Sequence, residues 1–167
     1  MAQPSTTYKF ELNLTDLDRS VYESVKQTIA RHPSETEERM TVRLLAYALW
    51  YNEQLAFGRG LSDVDEPALW EKSLDDRVLH WIEVGQPDEK PITKACNKSD
   101  HMLVYPFNHA SHVWWKGLEG KLARQSKLEV HYIDSEVAQQ LGSMAERSMQ
   151  LQATIQEGQL TLSSNLG

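Results

Sequence analysis

The sequence feature that most limits the fold is a buried strand, a helix and a second buried strand within residues 78–107. The first strand, 78–84, is a nearly continuous apolar run, typical of a central strand covered on both faces. Asp88 can cap the next helix, predicted over 88–98, and residues 102–107 form another apolar strand. Two strands joined in this way are parallel, with a right-handed crossover. The segment therefore predicts a mixed α/β fold.

Alternating apolar and polar residues predict strands at both ends of the chain. Residues 8–14 follow the period of two that marks a half-buried strand. Residues 19–32 suit either a helix or a strand, and we interpret them as a returning strand. Near the other end, residues 149–155 alternate with glutamines, and a Glu157-Gly158 turn then predicts a hairpin.

Helix and turn signals fill the interval between these ends. Ser34 and Glu37 form a capping box, and apolar residues then recur at helical spacing. The remaining predicted elements are a helix over 35–55, strands over 56–61 and 67–72, a helix over 112–124, a strand over 128–132 and a short helix capped by Asp134 or Ser135.

Length and composition predict one soluble domain spanning residues 1–167. No run approaches the roughly 18 apolar residues of a membrane span, and the N-terminus lacks an apolar signal segment. The single cysteine, Cys96, cannot form an internal disulfide, which fits a cytoplasmic protein. The formal net charge of -7 argues against a generally basic surface for nucleic acid. It remains compatible with a local positive groove.

One acidic residue, Glu83, interrupts the apolar strand. Side chains alternate along a strand, so Glu83 shares a face with Leu79 and Trp81. A carboxylate in such surroundings must be paired, protonated or bound to a cation. A salt bridge to Arg39 or Arg43 is the simplest way to pair it.

A cation is the second way to satisfy Glu83. If 67–72 pairs antiparallel with 78–84, the start of the first strand lies opposite the end of the second. Asp65 and Glu66 then meet Glu83 at one edge of the sheet. Neighbouring carboxylates repel each other, and a hard divalent cation such as Mg²⁺ is their natural ligand.

Eight short segments resemble the YaeQ family, in order and at matching spacings. The resemblance runs from near Tyr8 to near Leu162. The segments are HPSETEERM (32–40), FGRGLS (57–62), LW (69–70), WIEVGQPDEK (81–90), KAC (94–96), VY (104–105), WW (114–115) and MQLQATIQEGQL (149–160).

The resemblance implies a fold similar to that of the PD-(D/E)xK nuclease superfamily. That core is a helix, three strands, a helix and a strand, to which this chain would add N-terminal strands and a C-terminal hairpin. The core would cover 35–55, 56–61, 67–72, 78–85, 88–98 and 102–107.

The same resemblance implies a metal site built from carboxylates. Superfamily members use an acid at the start of the second core strand and another on the third. Here the first would be Asp65 or Glu66 and the second Glu83, with Mg²⁺ as the cofactor and Mn²⁺ as its substitute.

The superfamily also uses a lysine two residues after the second acid, and this chain has Gly85 there. Either of two residues would take over its role. Gln86 has an amide that can bind phosphate or water but carries no charge. Lys94 would project from the following helix towards the same edge as Lys90 and Lys98.

Two functions of different classes follow. The first is metal-assisted hydrolysis of phosphodiester bonds in nucleic acid, with Arg39, Arg43, Arg59 and Lys90 binding the backbone. The alternative is a non-catalytic module that keeps the nuclease-like fold and binds nucleic acid or a protein partner. Gly85 in the lysine position favours this alternative.

Arg39 and Arg43 also have an ordinary structural interpretation. They lie one turn apart on a polar face of the predicted helix over 35–55. Glu35 and Glu38 are close in sequence, so solvated salt bridges are the alternative to phosphate binding.

Overall fold

The computed structural model describes residues 5–59, 61 and 65–164. The described residues contain nine strands and four helices in a mixed α+β arrangement. In chain order these are β1 (Thr6–Asp16), β2 (Val21–Arg31), α1 (Glu37–Leu49), β3 (Leu55–Phe57), β4 (Leu69–Lys72), β5 (Val78–Val84), α2 (Glu89–Lys98), β6 (Ser99–Tyr105), α3 (Ser111–Leu118), β7 (Leu128–Val130), α4 (Ser135–Ser143), β8 (Ser148–Gln156) and β9 (Gln159–Ser164).

The chain divides into two compact units. The first comprises Met1–Tyr51 and Gln140–Gly167, and the second comprises Asn52–Gln139. The first contains a four-stranded sheet in the order β2-β1-β8-β9, and the second contains a five-stranded sheet in the order β3-β4-β5-β6-β7. Both sheets mix parallel and antiparallel neighbours.

The four-stranded sheet confirms the strands predicted at both ends of the chain. β1 pairs antiparallel with β2 and parallel with β8, while β8 and β9 form the predicted hairpin. Along β8 buried and exposed residues alternate without a break, because one face covers the core. Residues 19–32 were ambiguous because Val21, Val25 and Ile29 are four apart, a spacing that fits both periods. They form the strand that we favoured.

The N-terminus of α1 differs from the predicted capping box. Thr36 is the N-cap residue, and its hydroxyl accepts a hydrogen bond from the Arg39 N–H at 3.1 Å. The prediction of Ser34 as the cap is wrong, because its hydroxyl is bonded to Nδ1 of His32 at 2.7 Å. The helix therefore begins at Glu37, two residues later than predicted.

Two helices also end earlier than predicted. α1 ends at Leu49, and the side chain of Asn52 then accepts the Gln54 N–H at 2.8 Å in a local turn. α3 ends at Leu118, ahead of the poor helix former Gly120. β3 is also shorter than the predicted strand over 56–61, in which residue 60 lies outside the described residues.

No helix in the described part of the chain combines the length and apolarity needed to cross a membrane.

Tyr47 gives the first unit a dependence on alkaline pH. It is 2% exposed and packs edge-to-face on Phe10, and burial raises its pKa to about 12, with a smaller effect from Tyr51. An unfolded tyrosine titrates near pH 10, so the folded state holds the proton more tightly. The contribution of Tyr47 to the free energy of unfolding is therefore fully present below about pH 10 and is lost progressively as the pH rises towards 12.

We expect this loss to reach roughly 2–3 kcal/mol. Urea unfolding at several pH values measures it, and Tyr47→Phe is the matched control because its ring cannot ionise. The variant should lose less stability than the wild type between pH 10 and 12. Equal losses in the two proteins would contradict this assignment.

The five-stranded sheet confirms the predicted crossover. β5 is its central strand, antiparallel to β4 and parallel to β6, with α2 in the connection between β5 and β6. The inner face of α2 is buried as predicted, at Ile92, Ala95 and Cys96. These side chains pack with Trp81 of β5 and Met102 of β6 in one apolar cluster.

Candidate functional site

A cavity of about 510 Å³ lies in the second unit, between β5, the segment that precedes β4, and α2. Its floor is apolar and buried. Trp81, Ala95 and Met102 line it and are at most 6% exposed, and Trp81 packs edge-to-face on Trp70 with ring centroids 5.9 Å apart. The charged residues that line it are Asp65, Glu66, Glu83, Asp88, Lys90, Lys94 and Lys98.

Strand pairing brings the acidic residues to the cavity. β4 and β5 are antiparallel with Leu69 opposite Ile82, so Ala68 falls opposite Glu83. The Ala68 N–H donates a hydrogen bond of 2.9 Å to Oε1 of Glu83. Asp65 and Glu66, a few residues before this point, line the same cavity as Glu83.

Arg59 is held at the edge of this site by Glu66. The Arg59 N–H donates to Oε1 of Glu66 at 3.1 Å, and Nε of Arg59 lies 3.3 Å from Oε2. The Arg59 side chain is 72% exposed, so the ion pair stabilises the fold little. Its main effect is to place a guanidinium beside the carboxylates.

The basic side of the cavity is one face of α2. Lys90, Lys94 and Lys98 are exposed and stand four residues apart, so successive lysines are separated by about 6 Å along the helix. The structure thus brings Lys94 and Glu83 into one cavity. Asp88, predicted as the cap of this helix, and Lys98, predicted at the same edge as Lys94, line it as well. The regular spacing of the three lysines was the signal for Lys98.

The backbone at Gly85 leaves the strand and favours a residue without a side chain. β5 ends at Val84, and Gly85 has a φ of 106° while its N–H donates to the Tyr105 carbonyl at 2.9 Å. A residue with a side chain rarely adopts this conformation. Gln86 then turns towards α3, where its amide donates to Oγ of Ser111 at 3.2 Å. Of the two candidates for the lysine's role, Lys94 is the one that lines the cavity.

A lysine introduced at position 85 should therefore destabilise the protein. We expect Gly85→Lys to lower the free energy of unfolding by roughly 1–3 kcal/mol, because of its backbone conformation. Gly85→Ala should lose about as much, since a Cβ there meets no atom within 4 Å and only the backbone is strained. Urea unfolding of both variants measures the loss. A Gly85→Lys protein as stable as the wild type would refute the argument.

Arg39 and Arg43 lie in the first unit, where both bind Glu35. The guanidinium of Arg43 donates to both carboxylate oxygens of Glu35, from Nη2 to Oε1 at 2.5 Å and from Nε to Oε2 at 2.9 Å. Arg39 also donates to Oε2 of Glu35. The predicted pairing with Glu35 is confirmed. The prediction of a solvated face is wrong for Arg43, which is 5% exposed. Burial lowers the pKa of Arg43 and the Glu35 carboxylate raises it.

The oxygen donors that line the cavity fit Mg²⁺ only if water molecules supply the remaining ligands. Among the described residues, no three Asp, Glu, His or Cys side chains converge closely enough to hold a metal by themselves. Mg²⁺ usually keeps several waters and binds one or two carboxylates. Asp65 and Glu83 match that requirement, and zinc, which needs three or four protein ligands, is not matched.

The fold and cavity together define a mixed α+β protein with a charged pocket beside its central strand. The chain belongs to the YaeQ family, since the model of that family, described as "YaeQ protein", matches residues 1–167. It is 43% identical to the YaeQ protein of Salmonella typhi over 164 residues, which cover 98% of this chain and 91% of the relative. The resemblance inferred from the short segments is thereby confirmed.

Two crystal structures share the fold. The YaeQ protein from Pseudomonas syringae aligns with a TM-score of 0.95 at 57% identity, covering 99% of this chain and 92% of that chain. The YaeQ protein from Xanthomonas axonopodis pv. citri aligns with a TM-score of 0.92 at 40% identity, covering 98% and 93%.

Proposed function

We propose that this protein is a metal-assisted phosphodiesterase that acts on nucleic acid. The observation that carries the proposal is one cavity lined by Asp65, Glu83 and Lys94. The chain order α1, β3, β4, β5, α2, β6 supports a core similar to that of the PD-(D/E)xK nuclease superfamily, which has a helix, three strands, a helix and a strand in that order.

The two carboxylates would hold Mg²⁺ or Mn²⁺. Such a cation, when bound, lowers the pKa of a water and polarises a phosphoryl oxygen. Glu83 is suited to this task because β5 and the Ala68 N–H fix one of its oxygens, which leaves the orientation of the carboxylate well defined. Asp65 approaches from the segment before β4, so the two acids come from different elements.

Lys94 would supply the positive charge that the superfamily obtains from its strand. An ammonium placed in advance stabilises negative charge that develops on phosphate oxygens in the transition state. Arg59 and Lys90 would bind neighbouring phosphates of the substrate. Arg59 suits this role because it is mostly exposed and Glu66 holds it near the acids.

A second candidate function is non-catalytic binding of nucleic acid or of a protein partner. Two observations favour it. The bond from Ala68 gives Glu83 a structural role that needs no metal. The conformation of Gly85 excludes the lysine that the superfamily uses for catalysis.

A cleavage assay separates the two candidates. The protein is incubated with single-stranded and double-stranded DNA and RNA in Mg²⁺, in Mn²⁺ and with chelator. We expect metal-dependent cleavage that falls at least about 100-fold in Glu83→Gln. Loss of a residue that only orients a metal ligand already costs roughly 10–100-fold, and loss of the ligand itself should cost more. Lys94→Gln should also be impaired, and the exposed Glu119→Gln should act like the wild type.

Calorimetry adds a readout that does not depend on activity. Titration with Mg²⁺ and Mn²⁺ should show binding that Glu83→Gln weakens and Glu119→Gln leaves unchanged. Cleavage that survives in Glu83→Gln would reject the proposed site. A protein that cleaves none of the substrates would instead favour the non-catalytic candidate.

A further inference from the structure

We propose that β2 is the surface through which two copies of this chain form a symmetric dimer. The two β2 strands pair antiparallel and join the four-stranded sheets of both copies into one continuous sheet. The inference concerns the first unit and does not depend on the function proposed for the cavity, which lies in the second unit.

β2 is the longest edge strand in the described part of the chain. The two sheets end in β2, β9, β3 and β7, which contain eleven, six, three and three residues. Proteins commonly protect a sheet edge by keeping it short or by placing a proline or a β-bulge in it. β2 contains no proline, and its register with β1 is unbroken from Thr6 opposite Arg31 to Asp16 opposite Val21. β2 therefore lacks these three protections.

The open edge of β2 is formed by the backbone of its even-numbered residues. Backbone N–H and C=O groups of successive residues point to opposite sides of a strand. The Lys9 N–H donates to the Arg147 carbonyl at 2.8 Å, so the odd-numbered residues of β1 point away from β2 and the even-numbered ones bond to it. Even-numbered residues of β1 stand opposite odd-numbered residues of β2, whose even-numbered residues then face outwards. The Ala30 carbonyl agrees with this, since it accepts a hydrogen bond from Nη2 of Arg43 at 2.8 Å.

The core-facing side of β2 is self-complementary about Val25. When Val25 stands opposite Val25 of a second copy, Val21 falls opposite Ile29 and Glu23 opposite Gln27. Branched apolar side chains pack well against each other on a pleated sheet, and a carboxylate can accept a hydrogen bond from an amide. Val21 and Val25 are only half-buried in the single chain, so the pairing removes further apolar surface from water.

The outer face of β2 fits the same register. Tyr22 falls opposite Thr28, and Ser24 opposite Lys26. These residues form the open edge, so each pair exchanges two backbone hydrogen bonds, and symmetry repeats both pairs. Tyr22 is 61% exposed in the single chain, and an aromatic ring beside a β-branched residue is a favourable cross-strand pair. Lys26 stands opposite Glu11 of β1 on its other side and does not face a second lysine directly.

The expected dimer is weak because only one strand of each copy forms it. Specific and stable interfaces usually bury about 1,200–2,000 Å², and smaller ones belong to transient contacts. A pair of edges over residues 21–29 extends for about 27 Å along the strands and is only two strands wide. We therefore expect monomer and dimer to exchange, with a Kd in the micromolar range.

Sedimentation velocity of the full chain at increasing concentration measures this equilibrium. The share of dimer should rise with concentration. Val25→Lys places two like charges opposite each other at the centre of the interface and should raise the Kd at least about tenfold. Val113→Lys makes the same change at a valine of α3 that is 75% exposed, and it should leave the Kd unchanged.

A cysteine at the two-fold axis tests the register. Val25 and its copy form a pair without hydrogen bonds, whose Cα atoms lie about 4.5 Å apart. Disulfides need a Cα separation of roughly 4.4–6.8 Å, so Val25→Cys should give a covalent dimer under mild oxidation. Gln27→Cys is the matched control, because the two copies of residue 27 are displaced by about 13 Å along the paired strands. The native Cys96 is 1% exposed and does not compete.

Three results would overturn the inference. They are a protein that stays monomeric up to high micromolar concentration, a dimer whose Kd is unchanged in Val25→Lys, and cross-linking of Gln27→Cys that is as fast as that of Val25→Cys. Where far-UV circular dichroism shows that Val25→Lys does not fold, the two cysteine variants decide. Cleavage and Mg²⁺ binding do not enter these measurements, so this inference and the proposed function can fail separately.

Discussion

Glu35→Gln is expected to lower the free energy of unfolding by about 3–5 kcal/mol, the cost of leaving a buried charge without its partner. Glu35 and Arg43 are 3% and 5% exposed, and the carboxylate binds two guanidinium groups. Glutamine keeps the size of the side chain but removes the negative charge. The positive charges of Arg43 and Arg39 would then no longer be neutralised by Glu35. The free energy of unfolding of a whole domain is only about 5–15 kcal/mol, so the expected loss is a large fraction of it.

The same change at an exposed position is the control. Glu37 is the first residue of α1 and is exposed, so Glu37→Gln loses only a favourable interaction with the helix dipole, of about 0.3–1 kcal/mol. The midpoint and slope of urea unfolding measure both variants. A loss below about 1 kcal/mol in Glu35→Gln would show that the buried cluster tolerates the missing charge.

A double substitution tests whether the loss comes from the orphaned charge. Replacing a buried pair with apolar residues is often neutral, whereas removing one partner is costly. Glu35→Leu combined with Arg43→Met should therefore be more stable than Glu35→Leu alone. A double variant that is less stable than the single one would mean that Arg43 stabilises the first unit through other contacts, such as its 2.8 Å bond to the Ala30 carbonyl.

Gly58→Ala is the second change with a large expected effect. A Cβ at Gly58 would overlap the carbonyl oxygen of Pro67 and lie 3.2 Å from its carbonyl carbon. Pro67 and Ala68 are fully buried, so the backbone has little room to yield. We expect a loss of about 3 kcal/mol, at the upper end of the cost of overpacking.

The consequence of this clash should extend to the cavity. The Gly58 N–H donates to the Ala68 carbonyl at 3.1 Å, and the Ala68 N–H in turn holds Glu83. Moving this segment also moves Asp65, three residues before Ala68. Gly58→Ala should therefore lower the free energy of unfolding and also weaken the Mg²⁺ binding that we propose for the cavity, as measured by calorimetry.

Gly117→Ala is the matched control for that substitution. Gly117 lies in α3, and a Cβ there meets no atom within 4 Å. Alanine is the better helix former, so this variant should gain up to about 1 kcal/mol. If Gly58→Ala and Gly117→Ala had the same stability, the close approach of Gly58 to Pro67 would not be a real constraint.

The candidate site was predictable where it depends on neighbouring strands. A turn near Asp76 joins the predicted strands over 67–72 and 78–84, so Asp65, Glu66 and Glu83 were expected at one edge once the pairing was antiparallel, and all three line the cavity. The lysines of α2 were predictable for the same reason, because the crossover returns the helix over the face of β5 that carries Glu83.

The role of Arg43 could have been read from its spacing. It stands three residues after Met40, one before Leu44 and four before Tyr47, and all three are buried on the inner side of α1. Its charge instead suggests the same polar face as Arg39, one turn away, and helical position is the better guide. Its partner Glu35 precedes the helix, so the pairing depended on how the chain enters α1.

The sequence by itself determined the elements, the crossover and the edge where the acids meet, because periodicity, turn chemistry and strand direction are local properties of the chain. Only the tertiary structure decided that Gly85 leaves the strand, that Gln86 turns to Ser111, and that Glu35 neutralises Arg43. Each of these depends on a hydrogen-bond or charge partner supplied by another segment, and the pattern within one segment does not specify that partner.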